Sequence, residues 1–327
     1  MKDKSQLQLG VSHQTPEKLT RERLQFLQRM GVEKIEIRLA SSKSSYEEIM
    51  KIKERVIEAG IEVHEIMLAD LYSCRRIALG LPGREEDIRK FKQFIKDLGK
   101  AEIDTTTYAW HTGGAYSTGE TKTRGCQTRL FELSKTKDLP RAYDRDYSLE
   151  EVWQNYETFI TEILPIAEDN KVRLQLHPND PPVDHQGVPR LFSSRLAFRR
   201  AMEISNYSPY SGILFCVGCF AEMFGPNNRG EDIIGAIHEF GSRGNIFQVH
   251  FRNISSPMPD FYETFPDNGY LNMYKIMDAL FKVGYRGMIV PDHVPTVDLE
   301  EEKPLIGEAY ILGYIKALIQ AVGVKNE

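Results

Sequence analysis

Four residues of metal-binding type stand at the ends of four short apolar runs. His177 ends Val172 to His177 (VRLQLH) and Cys216 ends Gly212 to Cys216 (GILFC). His250 closes IFQVH from Ile246, and Asp292 follows Met288 to Pro291 (MIVP). Two imidazoles, a thiolate and a carboxylate form a divalent-metal ligand set. Its mixture of soft and hard donors suits Mn²⁺, Fe²⁺, Co²⁺ or Zn²⁺ better than Mg²⁺ or Ca²⁺. The chemistry such a centre offers is Lewis-acid assistance. Singly, each residue is weak evidence: a buried Cys is more often a small hydrophobe, and an Asp after Pro often caps a helix. The argument rests on their common address. Cys216 and Cys219 also form a C-x-x-C pair, but a structural zinc needs a second such pair and a thioredoxin-like site needs the motif near the first strands. Cys219 is therefore read as a loop or packing residue.

The four candidates are separated by 39, 34 and 42 residues, each about the length of one βα repeat. In a barrel of parallel strands they come from successive strands and converge on one mouth. The rest of the chain supports that frame. Strands are expected at Leu7 to Val11, Lys34 to Leu39, Ile61 to Leu68, Ile103 to Trp110, Val172 to His177, Gly212 to Cys216, Ile246 to Phe251 and Met288 to Asp292. Between them lie stretches of helical period. Helix starts are signalled by Thr15 before Pro16, Ser45 with Glu48, and Ser148 with Glu151. Gly31, Gly60, Gly241 and Gly284 stand where helices should stop. In Leu271 to Val283, residues Met273, Met277, Leu280 and Phe281 share one face, and Ile306 to Ala321 supplies the eighth helix. The expected fold is α/β, a single (β/α)₈ barrel domain over residues 1–327. The polar stretch His111 to Tyr147, after the fourth strand, is an insertion on the C-terminal face, where it reads as a lid or substrate-binding wall.

Composition narrows the function. The 327 residues are 41% hydrophobic and 27% charged, ordinary for a globular protein. A formal net charge of −5 gives no electrostatic reason to expect nucleic acid as a partner. Met1 to Val11 has no apolar run, so neither a signal peptide nor a membrane anchor is expected, and the expected address is cytoplasmic. Four scattered cysteines, Cys74, Cys126, Cys216 and Cys219, read as reduced thiols.

The segments Leu176 to Pro182 (LHPNDPP), Phe215 to Gly218 (FCVG), Val249 to Asn253 (VHFRN) and Pro291 to His293 (PDH) together resemble the mannonate dehydratase family. Glu263 to Phe265 (ETF) and Gly307 to Tyr310 (GEAY) extend the likeness through the C-terminal half. The resemblance implies a xylose-isomerase-like barrel that removes water from D-mannonate to give 2-keto-3-deoxy-D-gluconate with a divalent metal, typically Mn²⁺. It implies His177, Cys216, His250 and Asp292 as ligands and His293 as a proton-transfer residue. Arg252, Asn253, Asn179 and Asp180 would line the sugar-acid site, with Arg252 pairing the substrate carboxylate, and His111 joins them as a substrate-binding residue. A homodimer is the expected assembly.

One departure stands out. Where the family has a Gly-Tyr-Gly stretch carrying a catalytic tyrosine, this chain has Asp298 to Lys303 (DLEEEK). Tyr310 and Tyr314 fall in the last helix, whereas Tyr262, His111 and Tyr116 lie on loops that could reach the site. The alternative chemistry is a sugar or sugar-acid isomerase or epimerase, since it too begins with proton abstraction beside a metal-polarised group. A third reading is a binding protein that keeps the ligands without turnover.

Overall fold

The structure, a computed structural model, describes residues 7–297 and 305–325. Its strands in chain order are β1 (Gln8–Gln14), β2 (Lys34–Leu39), β3 (Glu62–Leu68), β4 (Thr105–Ala109), β5 (Gly119–Thr123), β6 (Cys126–Glu132), β7 (Arg173–His177), β8 (Ser211–Cys216), β9 (Ile246–His250), β10 (Asn253–Ile254), β11 (Asp260–Thr264) and β12 (Met288–Val290). The eight expected strands are β1 to β4, β7 to β9 and β12. They pair in parallel in the order β3-β2-β1-β12-β9-β8-β7-β4, and the end strands β3 and β4 adjoin, which nearly closes a barrel. Every residue of β4, β7's last four, β8, β9 and β12 is buried. Burial on both faces is what a parallel sheet wrapped in helices requires.

The helices follow their local signals. Ser45 accepts a hydrogen bond from the backbone N–H of Glu48, and Ser148 does the same for Glu151, so both caps open the helices anticipated there. Gly31 closes the first helix with φ of 78°, a left-handed conformation that costs glycine little. Two signals misled. Thr15 and Pro16 form a turn after β1, and the helix starts at Arg21 under a Thr20 cap. Gly241 is the last residue of its helix, and Gly244, with φ of 72°, makes the left-handed turn beyond it.

The insertion is more ordered than a polar loop. Strands β5 and β6 form a hairpin around Arg124 and Gly125, both at positive φ, the backbone twist that a two-residue hairpin turn requires. β6 then pairs antiparallel with β11, which pairs with β10, giving a second sheet of four strands. Phe131 and Phe261 stack across the β6–β11 seam with ring centres 5.8 Å apart. The wall is thus tied to the loop after β9. The expected change at Asp298 to Lys303 lies outside the described residues. Among the described residues no helix is long and apolar enough to cross a membrane.

The barrel interior beneath the site is polar. Gln175 Nε2 donates to Glu65 Oε2, to Thr107 Oγ1 and to Gln248 Oε1, and Gln248 Nε2 donates to Glu36 Oε2. Each of these groups is fully buried, so the chain of amides and carboxyls satisfies polar atoms that water does not reach.

Candidate active site

Parallel strands all point their C-terminal ends at the same mouth, and the four metal-binding residue types lie there. Cys216, His250 and Asp292 offer ligand atoms that lie within 4.8 Å of one another, and His177 forms a similar group with Cys216 and Cys219. The rings of His177 and His250 are 5.5 Å apart. All four expected ligands are therefore gathered.

Their surroundings fit a cation. His177 Nδ1 lies 2.7 Å from the Pro178 carbonyl oxygen; donation there fixes the tautomer and leaves Nε2 as the free donor atom. His250 Nδ1 is buried without a hydrogen-bond partner, 3.2 Å from Asp292 Oδ1. Its other nitrogen faces Gln248 Nε2 at 3.3 Å and Glu36 Oε2 at 3.7 Å. Burial opposes ionisation of Cys216, but contact with Cys219 and the Arg252 charge hold its thiol well below the usual range. Burial likewise works against the Asp292 carboxylate, and His293 and His250 outweigh it. A thiol and a carboxyl both held toward their ionised forms beside His250 Nδ1 are donors that fit a divalent ion.

A cavity of about 470 Å³ opens at this point, lined by His177, His250, Asp292 and His293 and, from the other side, by His13, Glu36, Arg38 and Tyr72. Lys18, His111, Tyr116 and Asp180 also face it. His293 Nδ1 is 2.6 Å from Glu263 Oε1 and 3.0 Å from the Tyr116 hydroxyl. Burial would lower the pKa of His293, but the charges of Asp292 and Glu263 raise it. His13 lies beside it, its ring stacked 6.3 Å away at 28°, and burial lowers its pKa to about 4. Its φ of 60° breaks the register between β1 and β2, and non-glycine residues in that region cluster at functional sites.

Other expected residues have different roles. Asn179 Nδ2 donates to the Trp110 carbonyl, and its Oδ1 accepts from the Phe192 N–H. Asn253 donates to the Pro266 and Leu271 carbonyls and accepts from the Ile254 and Leu271 N–H groups. Both amides hold loop backbone and neither lines the cavity. Arg252 is fully buried, with Nε on Asp292 Oδ2 (2.8 Å), Nη1 on Glu222 Oε1 (2.7 Å), and Nη2 on Asp180 Oδ2 (2.8 Å) and Cys219 Sγ (3.3 Å). Its fork is occupied by protein acceptors, so it organises the wall behind the ligands and is not open to a substrate carboxylate. Asp180 faces the cavity but is also held by Arg129 of β6 at 2.5 Å. His111 faces it too, its Nε2 3.1 Å from the Pro178 carbonyl oxygen.

Sequence reasoning missed Glu36, Arg38 and His13. His13 and Arg38 are penultimate in β1 and β2, the address of the expected ligands, so the signal was there for a strand-end ionisable residue, whereas Glu36 lies mid-strand and gave none. Of the tyrosines considered, Tyr116 reaches the site; Tyr262 pairs within the second sheet, and Tyr310, in the last helix, packs on Phe265.

Fold and site together define a (β/α)₈ barrel that opens at its strand ends into a polar cavity of about 470 Å³ beside four gathered residues of metal-binding type. The family model described as D-mannonate dehydratase (UxuA) matches residues 125–327, more than half of the chain. A mannonate dehydratase from Thermotoga maritima is 28% identical over 317 residues, covering 84% of this chain and 86% of the relative. The crystal structure of mannonate dehydratase from Streptococcus suis serotype 2 superposes with a TM-score of 0.85 at 24% identity, covering 97% and 96% of the two chains. The 3-keto-D-glucoside 4-epimerase YcjR from E. coli shares the fold more distantly, with a TM-score of 0.65 at 15% identity over 95% and 99%. This chain belongs to the D-mannonate dehydratase family, and it is a hydro-lyase.

Proposed function

We propose that the enzyme removes water from D-mannonate or a close hexonate relative, giving the 2-keto-3-deoxy acid, with a divalent metal held by His177, Cys216, His250 and Asp292. The observation that carries this reading is the gathering of those four donors at one mouth, with His177, His250 and Asp292 lining the cavity beside His293 and Cys216 grouped with them just behind it, in a chain of this family. When bound, the metal would supply Lewis-acid stabilisation of the negative charge that develops next to the substrate carboxylate. The family resemblance points to Mn²⁺ first, and the mixed donor set equally admits Fe²⁺, Co²⁺ or Zn²⁺.

The chain's own residues do the rest. His293, gripped by Glu263 and touching Tyr116, is placed to move the proton at its imidazole. Tyr116, in the insertion just ahead of the hairpin, lines this side of the pocket. His111 and Asp180 would fix sugar hydroxyls. Loss of a proton from C2 and of hydroxide from C3 leaves an enol that becomes the 2-keto acid.

A homodimer belongs to the same reading. So does a cytoplasmic address, supported by four free thiols; Cys216 and Cys219 lie within one 4.8 Å group, which a reducing compartment would keep unoxidised.

The test is metal analysis of the purified protein followed by incubation with hexonates, pentonates and hexuronates and added Mn²⁺. Dehydration gives a product whose semicarbazone absorbs. Deuterium incorporation without loss of water would instead establish isomerisation or epimerisation, and tight binding without turnover would establish a binding protein.

A further inference from the structure

We propose that the substrate's carboxylate is seated by Arg38, with Lys18 beside it, and that this pair selects a sugar acid over a neutral sugar. The inference rests on the sugar-acid reading above and names the residues that make it specific.

An anion entering a water-excluded pocket needs a cation there, because its hydration is lost. The pocket itself is rich in negative charge: Glu36, Asp180 and Asp292 all face it. Three buried guanidiniums lie nearby, and none serves. Arg252 is engaged by three carboxylates and a sulfur. Arg129 bonds Asp180 Oδ1, lies within 4 Å of Glu222 and Glu263, and stacks over Tyr116 at 3.8 Å. Arg190 does not line the cavity.

Arg38 differs from all of them. It lines the cavity and keeps 32% of its side chain exposed. Its one acceptor among the described residues is Glu36 Oε1, 3.4 Å from Nε, so both terminal nitrogens remain for a bidentate grip on a carboxylate. It stands on β2 two residues after Glu36, hence on the same strand face, and Tyr72 flanks its guanidinium at 5.9 Å. A cation fixed on a strand is better positioned than one on a loop. Lys18, in the turn after β1, faces this cavity and an adjoining one of about 300 Å³. It adds an exposed second charge beside the cavity.

The test uses the metal-loaded full chain with D-mannonate as substrate and D-mannitol, which lacks the carboxylate, as a competing ligand. Arg38→Gln is expected to raise KM for D-mannonate roughly 10- to 100-fold, the worth of a charge-assisted bidentate bond, with a smaller change in kcat. Arg38→Lys should recover part of the loss, and Lys18→Gln, on an exposed turn, should raise KM by roughly 3- to 10-fold. The inhibition constant of D-mannitol and the metal content should stay unchanged in all three. Wild-type turnover with an unaltered KM in Arg38→Gln and Lys18→Gln overturns this inference alone. Failure of the wild type to bind any hexonate overturns the substrate reading and this inference with it.

Discussion

The imidazole of His293 and the carboxylate of Glu263 meet at 2.6 Å across the join between the barrel and the second sheet. Glu263 is on β11, paired to the insertion hairpin, while His293 follows the last barrel strand beside Asp292. The second sheet and the strand end that carries Asp292 are therefore linked through this hydrogen bond, alongside the Tyr116 contact to the same imidazole. Glu263→Gln should lower kcat by roughly 10-fold or more, because a positioned proton-transfer group contributes on that scale or above, while bound metal stays constant. His293→Asn should abolish turnover with metal retained. Loss of metal in either variant, read by elemental analysis, would instead make these residues part of the ligand shell.

Removing a ligand should act on metal and stability together. His177→Ala and Asp292→Ala are expected to lose both bound metal and activity. A ligand that binds only the folded state stabilises it by about 2.7 kcal/mol at a hundredfold excess over Kd. Wild-type melting should therefore rise on adding Mn²⁺, and melting of His177→Ala should not. Full metal occupancy in His177→Ala would sink the ligand assignment.

The strands, and the gathering of the four expected ligands at one mouth, were legible because their signals are local. β2 falls on Lys34–Leu39 as expected, and the ligands end apolar runs one βα unit apart. The engagement of Arg252 is not legible for a physical reason: a cation on a strand end looks available until its acceptors are known, and those come from Asp180, Glu222 and Asp292, 72, 30 and 40 residues away. The hairpin was hidden by the polar composition of its strands, although Arg124-Gly125 between Thr123 and Cys126 is a turn signal. Asn179 and Asn253 carry a general lesson, since an amide in a motif serves backbone as readily as substrate.

Arg252 should behave as a structural cation. Arg252→Met leaves Asp180 and Asp292 buried without this charge, and removing one partner of such a network costs about 3–5 kcal/mol. Urea unfolding of the metal-free protein should show that loss in the absence of substrate. A variant of wild-type stability with a raised KM would return Arg252 to the substrate-binding role.

Glu65 gives the stability a predictable slope with pH. Its carboxyl is fully buried between Thr107 Oγ1 at 2.5 Å and Gln175 Nε2 at 3.0 Å, with its second oxygen unpartnered. Burial and the neighbouring charge of Glu36 push its pKa from 4.5 up to about 8. The folded state thus holds a proton that the unfolded chain releases above pH 4.5. The stabilisation is complete below that value, declines as pH rises, and is gone above about 8, at up to about 1.4 kcal/mol per pH unit. Glu65→Gln cannot ionise. The unfolding free energy of the wild type minus that of Glu65→Gln, measured in urea at intervals from pH 4 to pH 9, should fall across this window and level off at both ends. Parallel curves for the two proteins would mean that Glu65 is ionised in the folded state, and that the barrel interior holds two carboxylates in place of one carboxylate and one acid.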